Sequence, residues 1–382
     1  MTAESNRRPL RVAMIGQKGY PPVQGGIEKH VAELAARLPL LGIEVDIYSR
    51  PHYSDLAGPC DLPGVRVLRL PSLPTKHLDA ISHTLVATCD ALVRRPDLIH
   101  YHALGPGMLA GIPRRLAGIP TVATVHGLDW QREKWGRFAR RFLQYGERAA
   151  VTLPNATIVV SRALADYYRR EHDSRVEYVP NGITSLKPLA PRLSLAQGIP
   201  ERYILFVGRL VPEKGCHLLL EAWRTLPQEV KMNRELIIAG DAGFTSGYVD
   251  ELKQQAGGRV RFTGFIHGDF LTELYSNAEV VVLPSTLEGL SIALLEGMSF
   301  QRACLVSDIP PNREAAGEAA HFFSSGNAGD LAIKLTELLA DGELRRRLGE
   351  SAGKRVRGEY AWDRVTDQTA AIYRRIVGQG PV

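Results

Sequence analysis

Two glutamates, Glu288 and Glu296, stand eight positions apart in PSTLEGLSIALLEGMS (284–299). The apolar run VVVLPS (280–285) just before them reads as a buried strand, and Gly289 as part of the turn that follows it. A helix then opens at about Ser291, which puts Glu288 at the helix mouth and Glu296 inside the helix. Unpaired N–H groups at a helix N-terminus favour anions such as phosphate. One carboxylate is therefore placed to touch a ligand bound there, and the other to reach a neighbouring hydroxyl. Exposed carboxylates on a helix can also do no more than solvate a face, so the rest of the chain must decide.

A strand, YILFVG (203–208), runs into RLVPEKG (209–215), presenting Arg209 and Lys214 at a strand-to-helix turn. A guanidinium and an ammonium there suit a diphosphate; the structural alternative for these cations is a surface salt bridge to Glu213 or Glu221. Near the N-terminus RVAMIG (11–16) leads into a loop ending in Gly25-Gly26, whose missing Cβ atoms permit backbone to approach a ligand closely. QKGYPPVQGG does not have the Gly-x-Gly-x-x-Gly spacing of a dinucleotide site. His126 closes the strand TVATVH (121–126), at a carboxyl edge where α/β folds bind ligands, and Asp129 follows as an acceptor contact or a helix cap. His100 and His102 alternate on one strand, but the sequence offers them no evident third metal ligand and contains no Asp-x-Asp triplet for a metal–diphosphate complex.

The elements that must hold these residues follow from periodicity. At 382 residues the chain exceeds the size of one hydrophobic core, so two domains are expected. Strands are predicted at 10–15, 43–49, 65–70, 97–101, 121–126, 156–160 and 176–179, then at 203–208, 235–240, 260–264, 280–285, 303–308 and 319–323. They alternate with helical segments, as in two successive parallel-sheet α/β domains. Ile27, Val31, Leu34, Ala35 and Leu38 recur at helical spacing, with Gly42 just past the end. The stretch 179–200 loses periodicity and collects prolines and glycines, as a linker does.

Several of these motifs together resemble the retaining GT-B glycosyltransferases of the large bacterial family four, which use nucleotide-sugar donors. The resemblance runs from MIGQKGYPPVQGGIEKHVAEL (14–34) through VHGLDW (125–130), VPNGI (179–183), FVGRLVPEKG (206–215) and EGLSIALLEGM (288–298) to YAWDRV (360–365). QKGYPPVQGGIEKH and VHGLDWQREKWG carry a closer likeness to a subgroup associated with capsule, exopolysaccharide and O-antigen assembly, including rhamnosyl- and glucosyl-type transferases. The resemblance implies two Rossmann-like domains facing across a cleft: an acceptor-side domain (1–183), a nucleotide-sugar domain (184–360) and a terminal helix (361–382) crossing back to the first. It assigns Arg209 and Lys214 to the departing diphosphate, and Glu288 with His126 to the donor sugar. Gly289, Leu290 and Ser291 would lie against sugar and phosphate, Gly25 and Gly26 would face donor phosphate and acceptor, Glu296 would hold the ribose and Ile266 would border the base. It implies no cofactor and no metal, a nucleoside-diphosphate sugar as co-substrate, and a glycan or polyprenyl-linked glycan as acceptor. The competing readings are a sugar-nucleotide epimerase of the same fold and a non-catalytic sugar-nucleotide-binding protein.

Composition agrees with an ordinary globular protein, 45% hydrophobic and 23% charged. No apolar run is long enough to span a bilayer and the N-terminus reads as a first core strand rather than a leader, so a cytoplasmic protein is expected. A net charge of +6 suits anionic partners, and no nucleic-acid-binding motif is present. Between Arg132 and Arg148 six Lys/Arg and two Glu give a local charge of +4, with Phe138, Phe142 and Tyr145 at helical spacing. That segment is either a helix lying on the anionic inner face of the cell membrane or a domain helix with a basic solvent face. Four scattered cysteines (Cys60, Cys89, Cys216, Cys304) form no Cys-x-x-Cys pair and are expected to be reduced, mostly buried thiols.

Overall fold

The computed structural model describes residues 8–22, 25–53, 60–75, 78–131, 137–184, 186–241 and 246–378. The chain divides into two compact units, Met1–Asn181 with Trp362–Val382, and Gly182–Ala361. Each is built on a wholly parallel, Rossmann-like sheet with helices as crossovers.

In the first unit the strands are β1 (Leu10–Ile15), β2 (Ile43–Ser49), β3 (Val65–Arg69), β4 (Leu98–His102), β5 (Thr121–Val125), β6 (Ala156–Val159) and β7 (Glu177–Tyr178), in the spatial order β3-β2-β1-β4-β5-β6-β7. In the second they are β8 (Tyr203–Val207), β9 (Glu235–Ala239), β10 (Val260–Gly264), β11 (Val280–Leu283), β12 (Ala303–Ser307) and β13 (His321–Phe323), in the order β10-β9-β8-β11-β12-β13. Central strands such as β4, β5, β11 and β12 are buried along their whole length, because helices cover both faces of a parallel sheet. The order reverses between β1 and β4 and again between β8 and β11. Loops leaving the carboxyl ends of two such neighbours diverge to opposite faces and leave a crevice, the usual place for a ligand in an open α/β sheet.

Strands end one or two residues before several of the apolar runs do. Gly208, Pro284 and His126 lie just past the strand ends, and Pro284 has no N–H to contribute to a ladder. The first crossover helix spans Gly26–Arg37, after which Leu38–Leu41 tighten into a 3-10 turn closed by Gly42.

The terminal helix Trp362–Gly378 joins the core of the first unit, where Trp362, Val365, Tyr373 and Ile376 pack with Val12, Met14, Val31 and Leu34. Its polar side adds an ion pair from Arg37 to Asp363 at 3.0 Å and another between Arg375 and Glu177.

Candidate active site

In the second unit the loops after β8 and β11 bring Lys214 and Glu288 together. The chain leaves β8 through the half-buried Arg209, turns at Pro212–Lys214, and enters the helix Cys216–Thr225. Gly215 makes this turn at φ +68°, and a Cβ there would lie 2.0 Å from the Pro284 carbonyl oxygen. Only glycine lets the β8 loop press against the end of β11. The loops are tied again where Thr286 N–H donates to the Glu213 carbonyl at 3.0 Å. Across this seam Lys214 Nζ reaches Glu288 Oε1 at 2.5 Å, with the Glu288 side chain 8% exposed. Sequence reasoning treats the two as separate candidates and offers Glu213 or Glu221 as the partner of Lys214; in the structure Lys214 pairs with Glu288.

Just past Glu288 the chain buries Gly289, Leu290 and Ser291 and enters the helix Ile292–Ser299. Ser291 is its N-cap, the hydroxyl accepting from Leu294 N–H at 3.3 Å. This satisfies one of the donors that a helix N-terminus leaves without an intrahelical partner. Glu296 sits half-buried within the same helix. The Tyr275 hydroxyl lies beside it, its ionisation pushed well above the usual phenol range by burial and then by the Glu296 charge. Tyr275 also stacks on Phe300, ring centroids 5.7 Å apart. The sequence gives no functional mark to Tyr275, which reads as one apolar position of the helix Gly268–Asn277. Ile266, two residues beyond β10, is half-buried at a strand end rather than in the core.

In the first unit the loop after β1 is pinned by the buried Gln17 amide, which donates to the carbonyls of Met14 at 2.9 Å and Tyr48 at 2.8 Å. Gly25 precedes the helix at φ +108°, and the Glu28 carboxylate occupies the place a Cβ would take, 2.1 Å away. That carboxylate accepts from Lys18 N–H at 3.0 Å, so Glu28 braces the loop from within. Gly26 is the first residue of the helix.

His126, half-buried beyond β5, belongs to a group of imidazoles. Its Nε2 lies 3.4 Å from Nδ1 of His102 at the end of β4, and its ring meets His30 edge-on at 4.8 Å. His30 Nδ1 is 3.0 Å from Asn181 Oδ1. Burial lowers His30 to about 4 and holds His100 and His102 well below the usual imidazole range, so these rings are neutral at pH 7. The structure separates the His100/His102 pair that the sequence considers: His102 converges with His30 and His126, while His100 turns to Tyr373 and Thr124, 2.6 Å from each hydroxyl. His30 was missed because it lies in GIEKHVAEL (26–34), where its position reads as an ordinary helix residue. Nothing local links it to residues 72 and 96 positions away.

The side chain of Asp129 and residues 132–136 lie outside the described residues, as do the side chains of Arg137, Phe138 and Phe142. In the helix Arg137–Thr152 the inward face carries Leu143, Glu147 and Ala150. Glu147 is buried and bonded to the Trp130 indole and, at 2.7 Å, to His172. Arg140, Arg141, Tyr145 and Arg148 face solvent. Among the described residues no helix is long and apolar enough to cross a membrane. All four cysteines are free; Cys216 and Cys304 are buried, with burial pushing each thiol up to about 12, whereas Cys60 is half-buried and Cys89 exposed.

Comparison with known proteins places these features in a family context. Residues 24–185 match the model described as Glycosyltransferase Family 4, and residues 195–355 that of Glycosyl transferases group 1. The alpha-maltose-1-phosphate synthase of Mycobacterium tuberculosis is 29% identical, over 96% of this chain and 100% of that protein. Among solved structures, sucrose-phosphate synthase from Thermosynechococcus elongatus superposes with a TM-score of 0.84 at 22% identity, covering 98% of this chain and 100% of its own. HepE of Anabaena, solved in complex with UDP-glucose, gives 0.79 at 20% identity over 95% and 99% of the two chains.

Proposed function

The chain is a glycosyltransferase of the group 1 type and carries the GT-B fold shared with family 4, and on that premise we propose that it moves a hexosyl group, with retention of configuration, from a nucleoside-diphosphate sugar to a hydroxyl of a glycan or lipid-linked glycan in cell-surface polysaccharide assembly. The observation that carries this reading is the Lys214–Glu288 pair beside the N-terminus of the helix Ile292–Ser299, at the β8/β11 reversal. It combines a cation and N–H dipoles, which stabilise charge growing on a departing diphosphate, with a carboxylate that can hold sugar hydroxyls. In the second unit Lys214 and Arg209 take the diphosphate and Glu288 aligns the sugar; in the first unit His126 is the candidate for a donor-sugar contact. Gly289, Leu290 and Ser291 line its path, Ile266 borders the base, and Gly25 and Gly26 face phosphate and acceptor. Glu296, already beside one hydroxyl in Tyr275, uses its remaining lone pairs on the ribose.

In the reaction the bond from the anomeric carbon to the diphosphate oxygen breaks and a bond to the acceptor oxygen forms on the same face. The acceptor proton passes to the departing phosphate oxygen, so no protein nucleophile is required. Incubating UDP-, GDP-, ADP- and dTDP-sugars with and without a glycan acceptor, and reading the anomeric configuration of the product by NMR, tests the reading. Turnover that needs no acceptor would make the protein an epimerase, tight donor binding without turnover would make it a sensor, and an inverted product would reject retention.

Two further results are expected. Glu296→Ala should chiefly raise the donor KM, since a ribose contact is similar in ground and transition states, whereas Glu288→Gln should chiefly lower kcat; the opposite pattern would exchange their roles. Because the sequence holds no Asp-x-Asp triplet, transfer should persist in excess EDTA, and loss restored by magnesium or manganese would overturn that expectation.

A further inference from the structure

Sugar transfer as proposed uses one imidazole of the first unit, yet the fold brings three together from three separate elements: His30 from the helix Gly26–Arg37, His102 from the end of β4 and His126 from beyond β5. One ring nitrogen of each lies within 4.8 Å of the other two. Neighbouring spacing on a single helix or strand does not account for this, since the strands meet only through the sheet order.

The hydrogen bonds around the cluster match what a metal-binding imidazole needs. The Asn181 side-chain oxygen accepts only, so at 3.0 Å it places the proton of His30 on Nδ1 and leaves Nε2 with its lone pair. Fixing the tautomer through the distal nitrogen is how a supporting residue prepares a histidine ligand. His102 is completely buried and its Nε2 has no partner among the described residues, a deficit that costs stability. Its Nδ1 has the contact with His126 Nε2 at 3.4 Å, long for a nitrogen–nitrogen hydrogen bond. Two nitrogens bound tetrahedrally to one zinc, each at about 2.0–2.1 Å, stand about 3.4 Å apart. A cation on either His102 nitrogen replaces a missing or weak hydrogen bond with a coordinate bond.

We propose that His30, His102 and His126 form a three-imidazole site for a borderline divalent cation of the Zn2+ class, with a fourth position left for water or a ligand. All-nitrogen coordination selects zinc, cobalt or nickel over magnesium, calcium and manganese, which prefer oxygen. Coordination occupies the ring of His126, so zinc should inhibit transfer and EDTA should relieve the inhibition. That consequence rests on the donor role given to His126, but the binding itself does not.

The test uses the full chain, stripped with EDTA, dialysed and titrated calorimetrically with Zn2+ alone, and in parallel with Co2+, whose tetrahedral complexes absorb strongly in the visible. One Zn2+ per chain and a tetrahedral Co2+ spectrum are expected. Affinity should fall at least 100-fold in His30→Gln and His102→Gln and about 10- to 100-fold in Asn181→Ala, while His321→Gln, altering a histidine paired with Glu337, should leave it unchanged. The Co2+ spectrum of the unmodified protein guards against variants that fail to fold. Absence of stoichiometric Zn2+ binding, an octahedral Co2+ spectrum, or binding that survives His102→Gln would overturn the proposal. Zinc bound at full stoichiometry with transfer unaffected would uphold the site and reject the donor role of His126.

Discussion

Lys214→Ala is expected to lower kcat/KM by roughly 30- to 1,000-fold, the effect of removing about 2–4 kcal/mol of transition-state stabilisation. The side chain supplies charge to the leaving diphosphate and also holds Glu288 through a 2.5 Å contact. Removing it leaves a largely buried carboxylate without its cation, so the loss includes misplacement of the donor sugar. The sharper form of the prediction is non-additivity. Residues in direct contact couple, whereas distant ones add, so Lys214→Ala combined with Glu288→Gln should cost clearly less than the sum of the two single losses. Arg209→Ala should fall in the same range alone. Steady-state kinetics on the four members of the Lys214/Glu288 cycle decide the matter: strictly additive losses would show that the pair does not act as a unit, and near-wild-type Lys214→Ala would remove Lys214 from the site.

Trp362→Ala should destabilise the first unit by about 3–5 kcal/mol, the usual cost of deleting a buried large aromatic. The indole is 1% exposed, packs edge-on against His30 with centroids 5.4 Å apart, and lies in a core of Val, Leu and Met side chains from β1 and the helix Gly26–Arg37. Its Nε1 has no hydrogen-bond partner among the described residues, so packing is what holds it. Removing 361–382 altogether should be worse. It strips Trp362, Val365, Tyr373 and Ile376 from that core, each worth about 1.5–3 kcal/mol when buried, against a total stability of about 5–15 kcal/mol for a domain. Urea unfolding followed by circular dichroism, with limited proteolysis to assign the transition, should show the first unit melting early and the second unit, Gly182–Ala361, keeping its own transition. Equal shifts in both transitions, or none, would contradict the assignment of this helix to the first unit's core.

The strands were legible because a parallel strand covered on both faces must be apolar nearly throughout, as VVVL (280–283) and ACLVS (303–307) are. Their boundaries were readable to within two residues because glycine, proline and polar caps punctuate them, Ser291 among the clearest. The candidate cations and carboxylates of the second unit were legible too, since strand-end loops announce themselves locally. What they touch was not. Lys214 and Glu288 are 74 residues apart, and they meet only because β11 joins the sheet beside β8. That order is chosen by how the crossover helices pack and leaves no local periodic signature. The same holds for His30, His102 and His126, and for Tyr275 behind Glu296: each side chain has an unremarkable neighbourhood in sequence and acquires its chemistry from strand order. Residue type and spacing determined the elements and the loops that carry charge; sheet topology, a sum of contacts distant along the chain, decided which charges, imidazoles and hydroxyls share a site.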